Sequence, residues 1–299
     1  MTHVAICACT LDRPDGLASL LDGIRAQRFE RNRPPRLSLV IADNSADGSA
    51  RAMIDAARSN LDMPVVHAHE PAHGYANARN ALLDAAPADA DWLAFIDDDE
   101  VPAPIWLDSL LATAEESGAE LIAGPVRPLF ADGAPRWAVE GGFFELGPFD
   151  EGAPAPYVST NNALVRKDAI DRPGWRFDPT FNRHGGEDEH FFRRAMASGL
   201  RAVTSADAVV FERIPPERTS RSWLFSRHRR MGRTIARIDC LNGHGALRAV
   251  KAAGWLAVGS GRWLGGLLFR DAVRDIDGLC RIAWSIGSLE ELAGRREST

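Results

Sequence analysis

The sequence predicts an α/β fold: a mostly parallel central sheet flanked by helices, followed by a helical C-terminal extension. Three observations predict it. Short apolar runs alternate with amphipathic stretches of about 10 to 15 residues, the pattern of βαβ units that build a parallel sheet. The runs are apolar throughout rather than alternating, as strands buried on both faces must be. Beyond Arg213 the strand-like runs give way to basic and apolar stretches of helical character.

Val4–Cys9 is the first run, and it ends in Thr10-Leu11-Asp12-Arg13-Pro14. A helix follows from about Asp15 to Gln27, because Leu17, Leu20, Leu21 and Ile24 recur at three- and four-residue spacing. Leu37–Ala42 reads as a second strand. It ends in Asp43-Asn44-Ser45-Ala46-Asp47-Gly48-Ser49, a turn rich in side-chain acceptors and helix caps. A helix over Ala50–Ser59 and a short strand over Pro64–His69 come next. Gly74-Tyr75-Ala76-Asn77-Ala78-Arg79-Asn80 opens a third helix, to about Ala85. Trp92–Asp97 is the fourth strand, Pro104–Ser117 a helix and Glu120–Ala123 a further short strand.

From Gly124 to Tyr157 the pattern breaks. Pro125, Pro128, Pro135, Pro148, Pro154 and Pro156, with several glycines, make long helices improbable and leave an irregular connection or a β excursion. Val158–Arg166 is a candidate strand carrying Ser159-Thr160-Asn161-Asn162. Gly185-Gly186-Glu187-Asp188 opens a helix to about Ser198, and Ala202–Phe211 includes another strand. Residues 220–237 read as a basic helix, and 246–270 mix Ala, Leu, Trp and Gly with Arg248, Lys251, Arg262 and Arg270.

The chain has 299 residues, 45% hydrophobic and 25% charged, enough for one large domain with an appendage and ordinary for a globular protein. Its cysteines form no C-x-x-C pair, which excludes a metal-thiolate signature and a disulfide scaffold. The N-terminus shows no secretory pattern and no apolar stretch reaches the roughly 18 residues of a spanning helix. Net charge is −6, unevenly spread. Residues 213–270 hold twelve lysines and arginines against Glu217 and Asp239, so that segment is +10 and the remainder −16. Such asymmetry points to a surface that meets something anionic. No nucleic-acid recognition motif accompanies it, so no nucleic-acid partner is expected.

The chemistry concentrates at Phe95-Ile96-Asp97-Asp98-Asp99-Glu100. Alternation along an extended segment would point Asp97 and Asp99 the same way, and two carboxylates on one side repel unless a cation lies between them. Mn2+ or Mg2+, hard ions that take oxygen ligands and keep positions open for substrate phosphates, are the expected cofactors. A solvated acidic turn is the plainer reading, and the position at a strand's carboxyl end argues against it. No Gly-rich phosphate loop is present.

Thr10 to Pro14, Asp43 to Ser49, Gly74 to Asn80, Asp97-Asp98-Asp99 and Gly185 to Asp188 together resemble, in order and spacing, the inverting family 2 glycosyltransferases of the GT-A fold. The resemblance covers about residues 1 to 215 and is greatest to the succinoglycan-type glucosyltransferases of bacterial polysaccharide assembly. It implies a catalytic domain over 1–215 and a basic amphipathic helical segment over 216–299. It implies further that Thr10, Arg13, Asp43, Arg79, Asp97 and Asp98 contact a nucleotide-sugar, with Asp43 on the base and Arg79 near the diphosphate. Asp99 and Asp97 would hold the metal. Asp188 would be the general base and Glu187 a positioning residue. Structural roles stand beside these: an Asx-turn at Asp43, a helix-start arginine at Arg13, a solvated helix face at Arg79, and a helix-end acid at Asp188.

One departure is plain. Many relatives carry a histidine near residue 211, where this chain reads Phe211-Glu212, so the third metal ligand falls to Glu212, His228 or water, with His184 a looser candidate. The expected partners are a UDP-sugar donor and a saccharide acceptor, lipid-linked by the same resemblance. The basic segment is then either a solvated face or a contact with an anionic membrane leaflet, Arg in the head groups and Trp, Leu and Phe pressed in. That places the protein in the cytoplasm, peripheral on the inner face of the membrane. The rival functions are a metal-dependent nucleotidyltransferase and a non-catalytic UDP-sugar-binding subunit.

Overall fold

The computed structural model describes residues 1–171 and 175–296. The elements run β1 (His3–Thr10), α1 (Pro14–Arg25), β2 (Arg36–Asp43), α2 (Arg51–Asn60), β3 (Val65–His69), α3 (Tyr75–Ala85) and β4 (Trp92–Asp97). They continue with β5 (Glu100–Pro102), α4 (Trp106–Ser117), β6 (Leu121–Ala123), β7 (Val126–Phe130), α5 (Arg136–Glu140), β8 (Asn162–Arg166) and α6 (Lys167–Ile170). The last are α7 (Glu187–Ala197), β9 (Ala202–Thr204), β10 (Val210–Ile214), α8 (Arg221–Leu241), α9 (Gly245–Phe269) and α10 (Ala272–Arg296).

The main sheet has the order β3-β2-β1-β4-β8-β6-β9. Its ladders are parallel except at β8, which runs against both β4 and β6. The apolar runs are explained by what covers them. Val4, Ile6 and Ala8 of β1 pack into one core with Leu17, Leu20 and Ile24 of α1, and with Trp106 and Leu110 of α4. Ala5 and Cys7, facing the other way, pack with Ala78 and Leu82 of α3 and with Phe191 and Phe192 of α7. Burial pushes the Cys7 thiol well above its ordinary range and that of Cys9 up to about 12, so both stay protonated and inert. Trp106, fully buried, donates its indole N–H to Asn162 Oδ1 at 2.8 Å, the partner a buried indole needs.

Register sets the site. Thr10 lies beside Asp43 and Cys9 beside Asp97, so the loops leaving β1, β2 and β4 emerge together at the carboxyl edge.

One expectation needs correction and two gain detail. β4 stops at Asp97 as expected, but Asp98-Asp99 form a turn before β5, so strand alternation does not orient the acidic run. Ala202–Phe211, expected to include one strand, holds β9 and the start of β10, which lie in two sheets. β9 can match only the three residues of β6, and the chain turns at Ala206-Asp207 before β10 pairs antiparallel with β5 in a sheet of order β5-β10-β7. The Pro-rich stretch holds a short helix, α5, as well as the β7 excursion.

The chain divides into two compact units: residues 1–128 with 145–213, and residues 129–144 with 214–299. The second takes in Leu129–Phe144, which the sequence reading had put with the catalytic domain. Its own core is built from Ala138, Phe144, Ile214, Leu224, Ile276 and Cys280.

Candidate active site

Two knots of side chains form at the carboxyl edge of the first unit. The first joins the loop after β1 to the acidic turn. Thr10 Oγ1 donates to Asp98 Oδ2 at 2.7 Å. Arg13 Nη1 donates to Asp98 Oδ1 at 2.9 Å and to Asp99 Oδ2 at 3.1 Å. Asp98 is buried, and desolvation raises its pKa in spite of the Thr10 and Arg13 donors. It therefore ties two loops together rather than facing outward. Asp97 and Asp99 keep 39% and 26% of their side-chain surface exposed and are the two carboxylates of the run open to a ligand.

Asp43 lies beneath its loop. Oδ1 accepts from the Ser45 amide (3.1 Å) and hydroxyl (2.6 Å); Oδ2 accepts from the Ala50 amide (3.1 Å) and faces His67 Nε2 at 3.2 Å. Burial works to raise its pKa, but the Ser45 and Ala50 donors outweigh it and hold the carboxyl below the usual range. With full burial and four such partners it builds the loop. What opens there is a cavity of about 190 Å³ lined by Thr10, Asp12, Arg13, Ser49, Ala50 and Met53. Ser49 Oγ donates to Asp12 Oδ1 at 2.8 Å across its rim, with Asp12 in the left-handed region at φ 51°, which Asp tolerates.

The second knot centres on Arg79 of α3. Its Nε donates to Thr160 Oγ1 at 2.7 Å, its Nη1 is bonded to Glu187 Oε1, and its Nη2 lies 3.7 Å from Asp97 Oδ1. Desolvation opposes the charge of this buried guanidinium, but Glu187, Asp188 and Asp97 prevail and raise its pKa. Arg79 is thus a clamp between α3, α7 and β4, not a solvated side chain. Glu187 is buried, its pKa raised chiefly by desolvation, and its Oε2 has no hydrogen-bond partner among the described residues. Asp188 beside it accepts from Ser159 Oγ at 2.7 Å through Oδ2 and from the Glu189 amide at 2.7 Å through Oδ1. Gly185 and Gly186 sit at φ +72° and +91°, a left-handed entry that Gly adopts without strain and that sets both acids at the first turn of α7.

Asp97 gathers these charges. Burial first, then Asp99, Asp98 and Asp188, push its carboxyl up to about 7 against the pull of Arg79. That excess of negative charge, and the hard oxygens of Asp97 and Asp99, fit a divalent cation. Among the described residues no third His, Cys, Asp or Glu completes a metal cluster, so the remaining positions suit diphosphate and water. His228 turns Nδ1 to the Leu224 carbonyl within α8, and Glu212 sits on β10 opposite Glu100.

Ser159 and Thr160 had no role assigned from sequence. The signal was a pair of hydroxyls just ahead of a strand, which names no partner until α3 and α7 are placed beside it.

The model of the family described as Glycosyl transferase family 2 matches residues 5–173. The chain belongs to that family. It is a glycosyltransferase. The succinoglycan biosynthesis protein ExoM of Rhizobium meliloti (strain 1021) is 36% identical over 247 residues, 83% of this chain and 78% of that one. Two solved structures share its fold. The mannosyltransferase PcManGT from Pyrobaculum calidifontis, in complex with GDP-Man and Mn2+, matches at TM-score 0.59 and 20% identity over 96% of this chain and 86% of that one. TarS 1–349 of S. aureus in complex with UDP matches at TM-score 0.55 and 15% identity over 100% and 92%. Against a longer TarS structure this family 2 enzyme spans 44% of the chain.

Proposed function

We propose that the protein moves a hexose from a UDP-sugar to a hydroxyl of a saccharide acceptor with inversion, in bacterial exopolysaccharide or cell-surface glycan synthesis. Glucose is the sugar the sequence resemblance implies. The identity to a succinoglycan biosynthesis protein supports the pathway class, and neighbours solved with UDP and UDP-GlcNAc support the donor class. One observation carries the reading. Arg79 joins Asp97, on the donor side, to Glu187, next to Asp188, so the two carboxylate groups the reaction needs share one cluster.

In this reading the nucleoside lies against the cavity between the β1 and β2 loops, and Asp43 serves by holding the second of those loops. Asp188 takes the proton of the acceptor hydroxyl as its oxygen attacks the anomeric carbon. The bond from that carbon to the diphosphate oxygen breaks, and one displacement inverts the centre. Ser159 fixes the Asp188 carboxylate, and Glu187 fixes Arg79. Asp97 and Asp99 would hold a Mn2+ or Mg2+ ion, which would supply charge neutralisation to the diphosphate. The acceptor is lipid-linked, and the protein works at the cytoplasmic membrane surface.

The test is UDP release from a panel of UDP- and GDP-sugars with Mn2+, comparing wild type with Asp99→Ala and Asp188→Asn. Both variants should lose turnover by about a thousandfold. Unchanged rates in both would overturn the site assignment.

A further inference from the structure

The Arg-rich stretch 220–237 is not a free cationic surface. Arg229 and Arg233 converge on Glu290, Arg237 pairs with Glu291, and Arg221 pairs with Asp275, all acids of α10. The basic face read from sequence is largely an internal seam between two helices.

The neighbouring helix is the unusual one. α9 turns its small residues inward: Ala252, Gly259 and Gly266 are buried with Arg248, four or seven residues apart. A Cβ on Gly266 would lie 2.3 Å from the Asp275 amide of α10, so the close approach requires that stripe. The large apolar side chains face away. Leu247 is 53% exposed, Val250 71%, Leu264 59%, Leu268 76% and Phe269 70%. Over 25 residues α9 carries no Asp or Glu, and it is flanked by cations. Among the described residues Lys251 and Arg270 have no ion-pair partner, and Arg262 pairs with Asp277.

We infer that α9 is the membrane-docking element, lying flat in the head-group boundary of an anionic bilayer with Leu247, Val250, Leu264, Leu268 and Phe269 in the acyl region. Lys251 and Arg270 meet the lipid phosphates. This rests on the membrane reading above and narrows the contact from the whole basic segment to the apolar face of α9. No helix among the described residues is long and apolar enough to cross a membrane, so α9 lies along the surface, about 37 Å of it. Charge decides against a second copy. Two α9 faces packed together would bury the unpaired charge of Lys251 on each against a helix that offers no acid of its own.

The experiment floats the full chain with vesicles of phosphatidylcholine containing about one-quarter phosphatidylglycerol. Wild type should float, and most of the binding should survive about 0.5 M NaCl, because insertion rather than charge dominates. Leu264→Asp/Leu268→Asp should cut the bound fraction at least ~10-fold while releasing UDP in solution at the wild-type rate. Both positions are exposed, so the fold is preserved. If the variant floats like wild type, or salt abolishes wild-type binding, the α9 assignment falls and the membrane reading stands. If wild type does not float, both fall, and a dimer in sedimentation that the variant dissolves gives the face to a second copy. Loss of UDP release in the wild type would strike the glycosyltransferase chemistry alone.

Discussion

Single side chains divide here into those that touch substrate and those that hold them. The Ser159 hydroxyl donates to Asp188, so Ser159→Ala should lower kcat about tenfold and leave the donor KM unchanged, as expected for one lost hydrogen bond to a reacting group. Arg79 makes the opposite case. Its side chain is 11% exposed and that of Glu187 3%, so Arg79→Ala leaves a buried acid without its charge partner. Unfolding in urea should show a loss of about 3–5 kcal/mol. A surface arginine that met only diphosphate would cost nothing in that measurement. At this scale the sequence was legible for residue types and mute on their partners. Asp97, Asp98 and Asp99 stood out at once, but which of them is buried depends on the turn at Asp98-Asp99, where an extended continuation was expected. Asp43 showed an acceptor and not that Ser45, Ala50 and His67 occupy it.

Among the elements, the parallel strands were readable because burial on both faces keeps their runs mostly apolar. β9 and β10 were not, since Ala202 to Phe211 is apolar enough to pass for one run and the division depends on the length of β6, a distant strand. The connection ahead of β2 is fixed by one residue. Asp108 on α4 accepts from the backbone amides of Glu30, Arg31 and Asn32 at 2.8, 2.8 and 3.0 Å. Burial raises its pKa, the three amides more than offset it, and the carboxyl ends below its usual range. A depressed folded pKa contributes stability that is present above the unfolded value near 3.9 and is lost as pH falls through the folded one. Asp108→Ala should therefore cost about 2 kcal/mol at neutral pH. The difference from wild type in thermal unfolding should narrow below about pH 4.

Across the whole molecule, charge is arranged over sequence distances no local pattern reveals. Arg229 and Glu290 are 61 positions apart, and Arg237 and Glu291 are 54. Counting residues 213–270 alone gave a strongly basic segment because its counter-ions lie in the following helix. Glu290→Gln releases Arg229 and Arg233 together. Stability should fall by less than about 1 kcal/mol, since the pairs are partly exposed, while flotation with anionic vesicles should rise at low salt and return to the wild-type value at high salt.

The shared register of β1, β2 and β4 also sets what kinds of genetic change this enzyme can survive. Deleting one codon inside β1 would exchange the two faces of that strand and drag Thr10 out of line with Asp43 and Asp97, though every residue at the reaction centre stayed intact. An extra residue five positions ahead of Thr10 would break the same register, whereas at exposed Gly142 and Gly152 no neighbouring atom lies within 4 Å of an added Cβ.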